Sequence, residues 1–234
     1  MSSPLQAIIF DFDGVIADSE PLHLRAFQQV LAEEGVALDR DDYFARYLGY
    51  DDVGMFAALA RDRGLTTRAG WVATMVARKG ERLQAMLDEG AVLFPGAAAF
   101  IQAAAAAVPI AIASGALRHE IVAIIEAAGL GDKFATIVAS GDAPASKPSP
   151  APYRLAFERL QAAAGVGLDP RRCVAIEASV WGLESALGAG LRCVGVTTSY
   201  PAEQLVGAEL IVDGLQTLTL SALERLCRNI SSTP

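Results

Sequence analysis

Six apolar runs of strand length, none of them alternating with polar residues, leave this chain few ways to fold. They fall at 7–10, 108–113, 136–139, 173–176, 193–196 and 210–212. A strand with one wet face alternates, whereas an unbroken apolar run belongs to a strand covered on both faces. Helical patterns lie between the runs, at 117–128, 151–164 and 182–188, and Gly129 and Gly165 stop the first two. Strand and helix in repetition describe a doubly wound α/β fold: a parallel sheet with a Rossmann-like core and helices on both faces. The alanine-rich stretch 97–107 follows Pro95-Gly96 and reads as one more packed helix.

The rhythm breaks after the first strand. Amphipathic helix patterns at 21–34, 41–47, 52–63 and 68–88 follow one another without a strand, punctuated by glycines at 35, 49, 64 and 90. An α-helical cap inserted into the α/β core accounts for this. The expected division is core at 1–18, helical cap at 19–93 and core again at 94–234, with a frayed tail after Ser231.

Composition narrows the function. With 234 residues, 53% hydrophobic and 20% charged, the chain has the make-up of a filled globular protein and not of a disordered one. A formal charge of −8 argues against nucleic acid as a partner. No apolar run approaches the roughly 18–20 residues of a membrane span, and the run before Asp11 is too short for a signal-peptide core. Three widely spaced cysteines (Cys173, Cys193, Cys227) do not make a disulfide framework, which points to a reducing cytoplasm. A monomer or small homo-oligomer is expected.

Chemistry concentrates at the strand ends, where open α/β sheets bind their ligands. Asp11-Phe12-Asp13-Gly14 closes the first run. Such a sequence also makes an ordinary turn, but paired acids at a strand end are costly without a cation. Ser114-Gly115 ends the second run and offers a hydroxyl and backbone N–H groups to a phosphate oxygen. Lys147, in Ser146-Lys147-Pro148, stands just before a helix, and Glu177 ends the fourth run in Ile176-Glu177-Ala178-Ser179. No Walker-type or Gly-x-Gly-x-x-Gly loop is present, which disfavours nucleotide-driven and dinucleotide chemistry.

Taken in order, Asp11-Phe12-Asp13-Gly14, Ser114, Lys147-Pro148 and Glu177 ahead of Gly182 and Ala189-Gly190 resemble the haloacid dehalogenase-like hydrolase superfamily. Within it the chain resembles the branch of phosphoglycolate phosphatase and β-phosphoglucomutase, which carries a helical cap after the first motif. The resemblance implies a Mg²⁺-dependent phosphatase acting on a small phosphorylated metabolite. Asp11 would attack phosphorus and form an aspartyl-phosphate, with Asp13 as acid and base. Lys147 and magnesium would offset a repulsion of about 4 kcal/mol per charge pair at 4 Å and a dielectric near 20. Ser114 and the Gly115 N–H would hold the phosphoryl group. Asp11, the Asp13 carbonyl and Glu177 are the implied metal contacts. His23 matches a histidine of relatives resembling β-phosphoglucomutase, and Ser19 lies at the hinge; both are candidate substrate residues.

One position departs from the pattern. The family's fourth motif usually reads Glu-Asp-Ser, and its Asp ligates the metal, whereas this chain has Ala178. Ala178 leaves open a catalytically impaired phosphate-binding protein, and the resemblance itself leaves open a phosphomutase. Against the phosphomutase, the cap loop Leu48-Gly49-Tyr50-Asp51-Asp52 is acidic, with Arg46 the only cation near it in sequence.

Overall fold

The computed structural model describes residues 4–87, 93–165 and 167–228. The chain divides into two compact units, one drawn from Met1–Ala17 and Leu93–Pro234 and the other from Asp18–Val92.

The described residues of the second unit are helical: α1 (Glu20–Glu33), α2 (Arg40–Asp42), α3 (Asp52–Asp62) and α4 (Trp71–Leu87). The pattern at 41–47 resolves into the single turn of α2 running into a wider π-helical stretch, Tyr43–Tyr47. Aspartates start two of these elements. Asp39 accepts the Asp42 N–H at 2.7 Å and Asp51 accepts the Gly54 N–H at 2.7 Å, which satisfies donors that a helix N-terminus leaves open. Phe27, Tyr43, Phe56 and Trp71 meet edge-on or tilted at ring-centroid distances of 5.2–5.9 Å and form the core of the unit. Each such pair adds about 0.5–1.5 kcal/mol beyond its burial. The expected helix end at 88, Gly90 and the tail after Ser231 lie outside the described residues.

In the first unit, β1 (Ala7–Phe10), β2 (Ile110–Ala113), β3 (Thr136–Val138), β4 (Cys173–Glu177), β5 (Arg192–Val196) and β6 (Leu210–Val212) form one all-parallel sheet. Its order is β3-β2-β1-β4-β5-β6. Every residue of β1, β2 and β4 is buried, as unbroken apolar runs require. The second strand starts at Ile110 and not at 108 because Val108 closes the preceding helix α5 (Ala97–Ala107) by donating to the Ala104 carbonyl, and Pro109 has no N–H to pair. Helices α6 (Arg118–Ala127), α7 (Ala151–Ala164) and α8 (Val180–Gly188) connect the strands. A further helix, α9 (Leu220–Arg228), was not anticipated; it buries Leu223 and Cys227, one helical turn apart.

The sheet grows outward from β1 in one direction and from β4 in the other. Right-handed crossovers therefore send the two sets of helices to opposite faces, and a crevice opens beyond the carboxyl ends where β1 and β4 part. Their register pairs Phe10 with Ile176. It sets Asp11 beside Glu177 at the mouth of that crevice.

Candidate active site

Beyond β1 the chain turns at once. Asp11 N–H donates to the Ile176 carbonyl at 2.9 Å, while the Phe12 carbonyl accepts from Val15, Ile16 and Ala17. Gly14 sits at φ +81°, and a Cβ there would press on Ser199 Oγ at 2.8 Å and Ala178 Cβ at 3.0 Å. Only glycine meets both demands. The loop thus holds Asp11 buried and leaves Asp13 partly exposed.

Lys147 arrives from the loop between β3 and α7. That loop is anchored at its start, where Asp142 accepts from Arg118 at 2.6 Å and Arg159 at 3.0 Å. It is anchored again near its end, where Ser185 Oγ donates to the Ser149 carbonyl. The Lys147 Nζ lies 2.7 Å from Asp11 Oδ1 and 2.6 Å from Glu177 Oε1, and 5.2 Å from the centroid of the Tyr153 ring.

Glu177 is fully buried, and its carboxylate takes five donors. Oε1 accepts from Lys147 and from the Tyr153 hydroxyl at 2.8 Å. Oε2 accepts from the N–H of Ala178 and Ser179 and from Ser179 Oγ, at 3.1–3.2 Å. The carboxyl group rests directly on Gly182, where any Cβ would overlap it. Gly182→Ala is accordingly expected to displace Glu177, lower turnover by about 10-fold or more and cost about 1–3 kcal/mol of stability. Urea unfolding and turnover on one preparation check this; full activity with unchanged stability would contradict the packing described.

The charges do not balance. Asp11 and Glu177 share one ammonium, and burial, with the charge of Glu177 added, pushes the Asp11 carboxyl up to about 8 against the pull of Lys147. Burial disfavours the charged lysine, but the two carboxylates outweigh it and raise Lys147 above its ordinary range. Tyr153, buried beside Glu177, is held well above the usual phenol range and stays a donor. The hydrogen bonds of Asp11 fall on Oδ1, from Phe12 N–H and Lys147, and Oδ2 takes none among the described residues.

These features fit a hard cation. Two carboxylates on one ammonium, with Asp11 holding a proton that a cation would displace, and an uncommitted carboxylate oxygen suit magnesium, which is often held by one or two carboxylates, waters and substrate phosphate. The protein's own share is thin. Among the described residues no group of three or more His, Cys, Asp or Glu side chains gathers as a cation site. Glu177, suggested by the sequence as a metal contact, has both oxygens engaged by protein donors.

Ser114 ends β2, with its N–H on the Val138 carbonyl at 2.9 Å and its Oγ accepting from Ala116 N–H at 3.0 Å. The exposed Gly115 N–H takes no partner among the described residues. Ser19 and His23 belong to the helical unit, where Ser19 precedes α1 and its carbonyl accepts the His23 N–H at 2.9 Å. His23 Nδ1 lies 2.8 Å from Nζ of the fully buried Lys79. Burial, then the charge of Lys79, holds the imidazole well below its ordinary value, so it accepts from the ammonium as a neutral ring.

Lys79 also corrects the sequence picture of the acidic loop. Arg46 is engaged by Asp42 at 3.3 Å and Asp62 at 2.7 Å, and the cation that meets Asp52, at 3.0 Å, is Lys79. It comes from α4, 27 residues further along, so proximity in sequence could not reveal it. Tyr153 was likewise missed, since an aromatic in the first turn of a helix reads as core. Trp181 packs edge-on against Tyr200, and His119 is exposed. The three cysteines are free and buried, which pushes their thiols up to about 12, 12 and 11 and leaves no thiolate nucleophile.

Comparison with known proteins adds family context. Residues 5–190 match the family model of the haloacid dehalogenase-like hydrolases. Protein CbbY of Cereibacter sphaeroides is 33% identical over 222 residues, covering 92% of this chain and 94% of that protein. Hexitol phosphatase B of Escherichia coli is 31% identical over 203 residues, covering 84% and 86%. The crystal structure of CbbY from Rhodobacter sphaeroides in complex with phosphate superposes with a TM-score of 0.83 at 32% identity, covering 94% of this chain and 99% of that one. A mutant of the same protein has been solved with xylulose-(1,5)bisphosphate.

Proposed function

Because the chain belongs to the haloacid dehalogenase-like hydrolases, we propose that it is a magnesium-dependent phosphatase that hydrolyses sugar or polyol phosphates through a phosphoryl group carried on Asp11. The observation that carries this reading is Lys147 bridging Asp11 and Glu177 while Asp11 Oδ2 is left without a hydrogen bond among the described residues. A lysine shared by two buried carboxylates at a strand end is costly as a purely structural feature. It suits a nucleophile that must approach an anion.

Asp11 Oδ2 attacks phosphorus in line with the ester oxygen, the P–O bond to the leaving group breaks, and Asp13 gives that oxygen its proton. Asp13 then takes a proton from water, whose oxygen attacks the phosphoryl group and returns Asp11 as a carboxylate with release of inorganic phosphate. Lys147 screens the incoming anion throughout, and Ser114 with the Gly115 N–H holds its peripheral oxygens. Asp11 and the Asp13 carbonyl would hold magnesium, which supplies the positive charge that the Asp11–Glu177–Lys147 group lacks. Glu177 is assigned to holding Lys147. The helical unit, with His23 and Ser19, is assigned the role of a cap that chooses the ester. The related hexitol phosphatase and the CbbY mutant solved with xylulose-(1,5)bisphosphate support a hydroxylated substrate. Three buried, unpaired thiols suit a cytoplasmic enzyme.

Phosphate release from a panel of sugar, polyol and carboxylic-acid phosphates, with and without millimolar magnesium, tests the proposal. Magnesium-dependent release from at least one sugar or polyol phosphate is expected. Ala178 favours a second reading, a phosphate-binding protein without turnover, and binding of an ester without release under any metal condition would establish it. Rearrangement of a sugar monophosphate in the presence of its bisphosphate, faster than release, would move the assignment to a phosphomutase. The engagement of Arg46 and Lys79 by neighbouring acids supports hydrolysis instead.

A further inference from the structure

Tyr153 lies outside every motif in the sequence, yet it touches both Lys147 and the Glu177 carboxylate that holds it. Its hydroxyl donates to Glu177 Oε1 at 2.8 Å, the same oxygen that accepts from Lys147 at 2.6 Å, and its ring faces the ammonium at 5.2 Å. Tyr153 is itself fully buried in α7. The other oxygen of Glu177 is committed to the turn at Ala178 and Ser179. On the Glu177 side, Lys147 is therefore held by Oε1 alone.

A hydroxyl bonded to Oε1 fixes where the Glu177 carboxylate stands, and so the point from which it meets the ammonium. With Tyr153 in place, Oε1 holds the ammonium at 2.6 Å from a fixed point, and Lys147 keeps its 2.7 Å contact with Asp11 Oδ1. The ring adds a second restraint, since the electron-rich face of an aromatic favours a cation above it. We propose that Tyr153 is a positioning residue for phosphoryl transfer, holding Glu177 with its hydroxyl and Lys147 with its ring so that the ammonium reaches Asp11. This rests on the assignment of Asp11 as phosphoryl acceptor.

Two variants separate the parts. Tyr153→Phe keeps the ring and loses the hydroxyl; Tyr153→Leu loses both. With the ester that the wild-type protein hydrolyses, Tyr153→Phe is expected to lower kcat about 10-fold with KM changed less than about 2-fold, and Tyr153→Leu to lower kcat further. Thermal unfolding and the folded fraction are measured on the same preparations, and kcat is expressed per folded protein. A residue that only filled space would lose stability with kcat per folded molecule unchanged, and that result would overturn the proposal. Equal kcat in Tyr153→Phe and wild type would overturn the role of the hydroxyl. Failure of the underlying assignment looks different: the wild-type protein, with magnesium, would release no phosphate from any ester.

Discussion

Asp11→Asn is expected to abolish phosphate release, by a factor on the order of 10⁴ or more, while leaving the metal-free protein at least as stable as its parent. The loss follows from chemistry. An amide oxygen cannot displace an ester oxygen from phosphorus and form the acyl phosphate that water later opens. The gain follows from electrostatics, because Asparagine can still accept from Phe12 N–H and Lys147, the partners of Asp11 Oδ1. Lys147 is then left to neutralise Glu177 alone. The sign with pH can be worked out. The Asp11 carboxyl is raised from 3.8 to about 8 in the folded protein, so between those values the folded state binds the extra proton and the wild type loses stability as pH rises. In chelator-treated protein the advantage of the variant should therefore grow from about pH 4 to about pH 8 and then level. Each kcal/mol gained corresponds to about 2–4 °C in the melting temperature of a protein of this size. Paired melts across that range provide the measurement. A variant that still turns over would remove Asp11 as nucleophile, and one that melts lower at every pH would remove the electrostatic account.

The parts of this molecule legible in the sequence are those written in consecutive residues. The strand cores followed from unbroken apolar runs, and Asp11, Ser114 and Glu177 were singled out because each stands at the end of such a run. Lys147 was legible only as a member of an ordered set; its position in a loop says nothing about the acid it meets, 136 residues away. What sequence hid were couplings across the fold. On α4, Trp71, Met75, Lys79 and Leu83 recur every four residues and are all buried. A lysine at a core position was a visible signal of an internal acid or acceptor, but its identity as Asp52 and His23 was not readable. Tyr153 left no signal, since its ring belongs to a helix face that would be apolar in any case. Glu177 was legible as a carboxylate at the right strand end, yet not as one saturated by five donors, because that depends on the bare Cα of Gly182 and on the turn at Ser179.

Ala178→Asp is expected to lower the magnesium concentration for half-maximal activity by about 10–100-fold and to raise turnover at limiting magnesium. Ala178 is buried, its N–H is bonded to Glu177 Oε2, and its Cβ faces the bare Cα of Gly14 in the loop that carries Asp11 and Asp13. A carboxylate grown from that Cβ would join the one free oxygen of Asp11 and supply the donor that the present set lacks. The same substitution should harm the metal-free protein. A third carboxylate brings repulsion of about 4 kcal/mol per pair at 4 Å and a dielectric near 20, with no new ammonium to balance it. Magnesium should then stabilise the A178D variant far more than the wild type, as binding to the folded state alone requires. Ala178→Asn separates charge from shape, since it offers a neutral oxygen of similar reach and should recover only part of the affinity. Thermal melts over a magnesium titration read binding without any assay of turnover. Parallel titrations of the two proteins, in melting temperature and in rate, would show that no cation sits between this position and Asp11. The charge surplus around Lys147 would then have to be met by the phosphate ester's own surroundings.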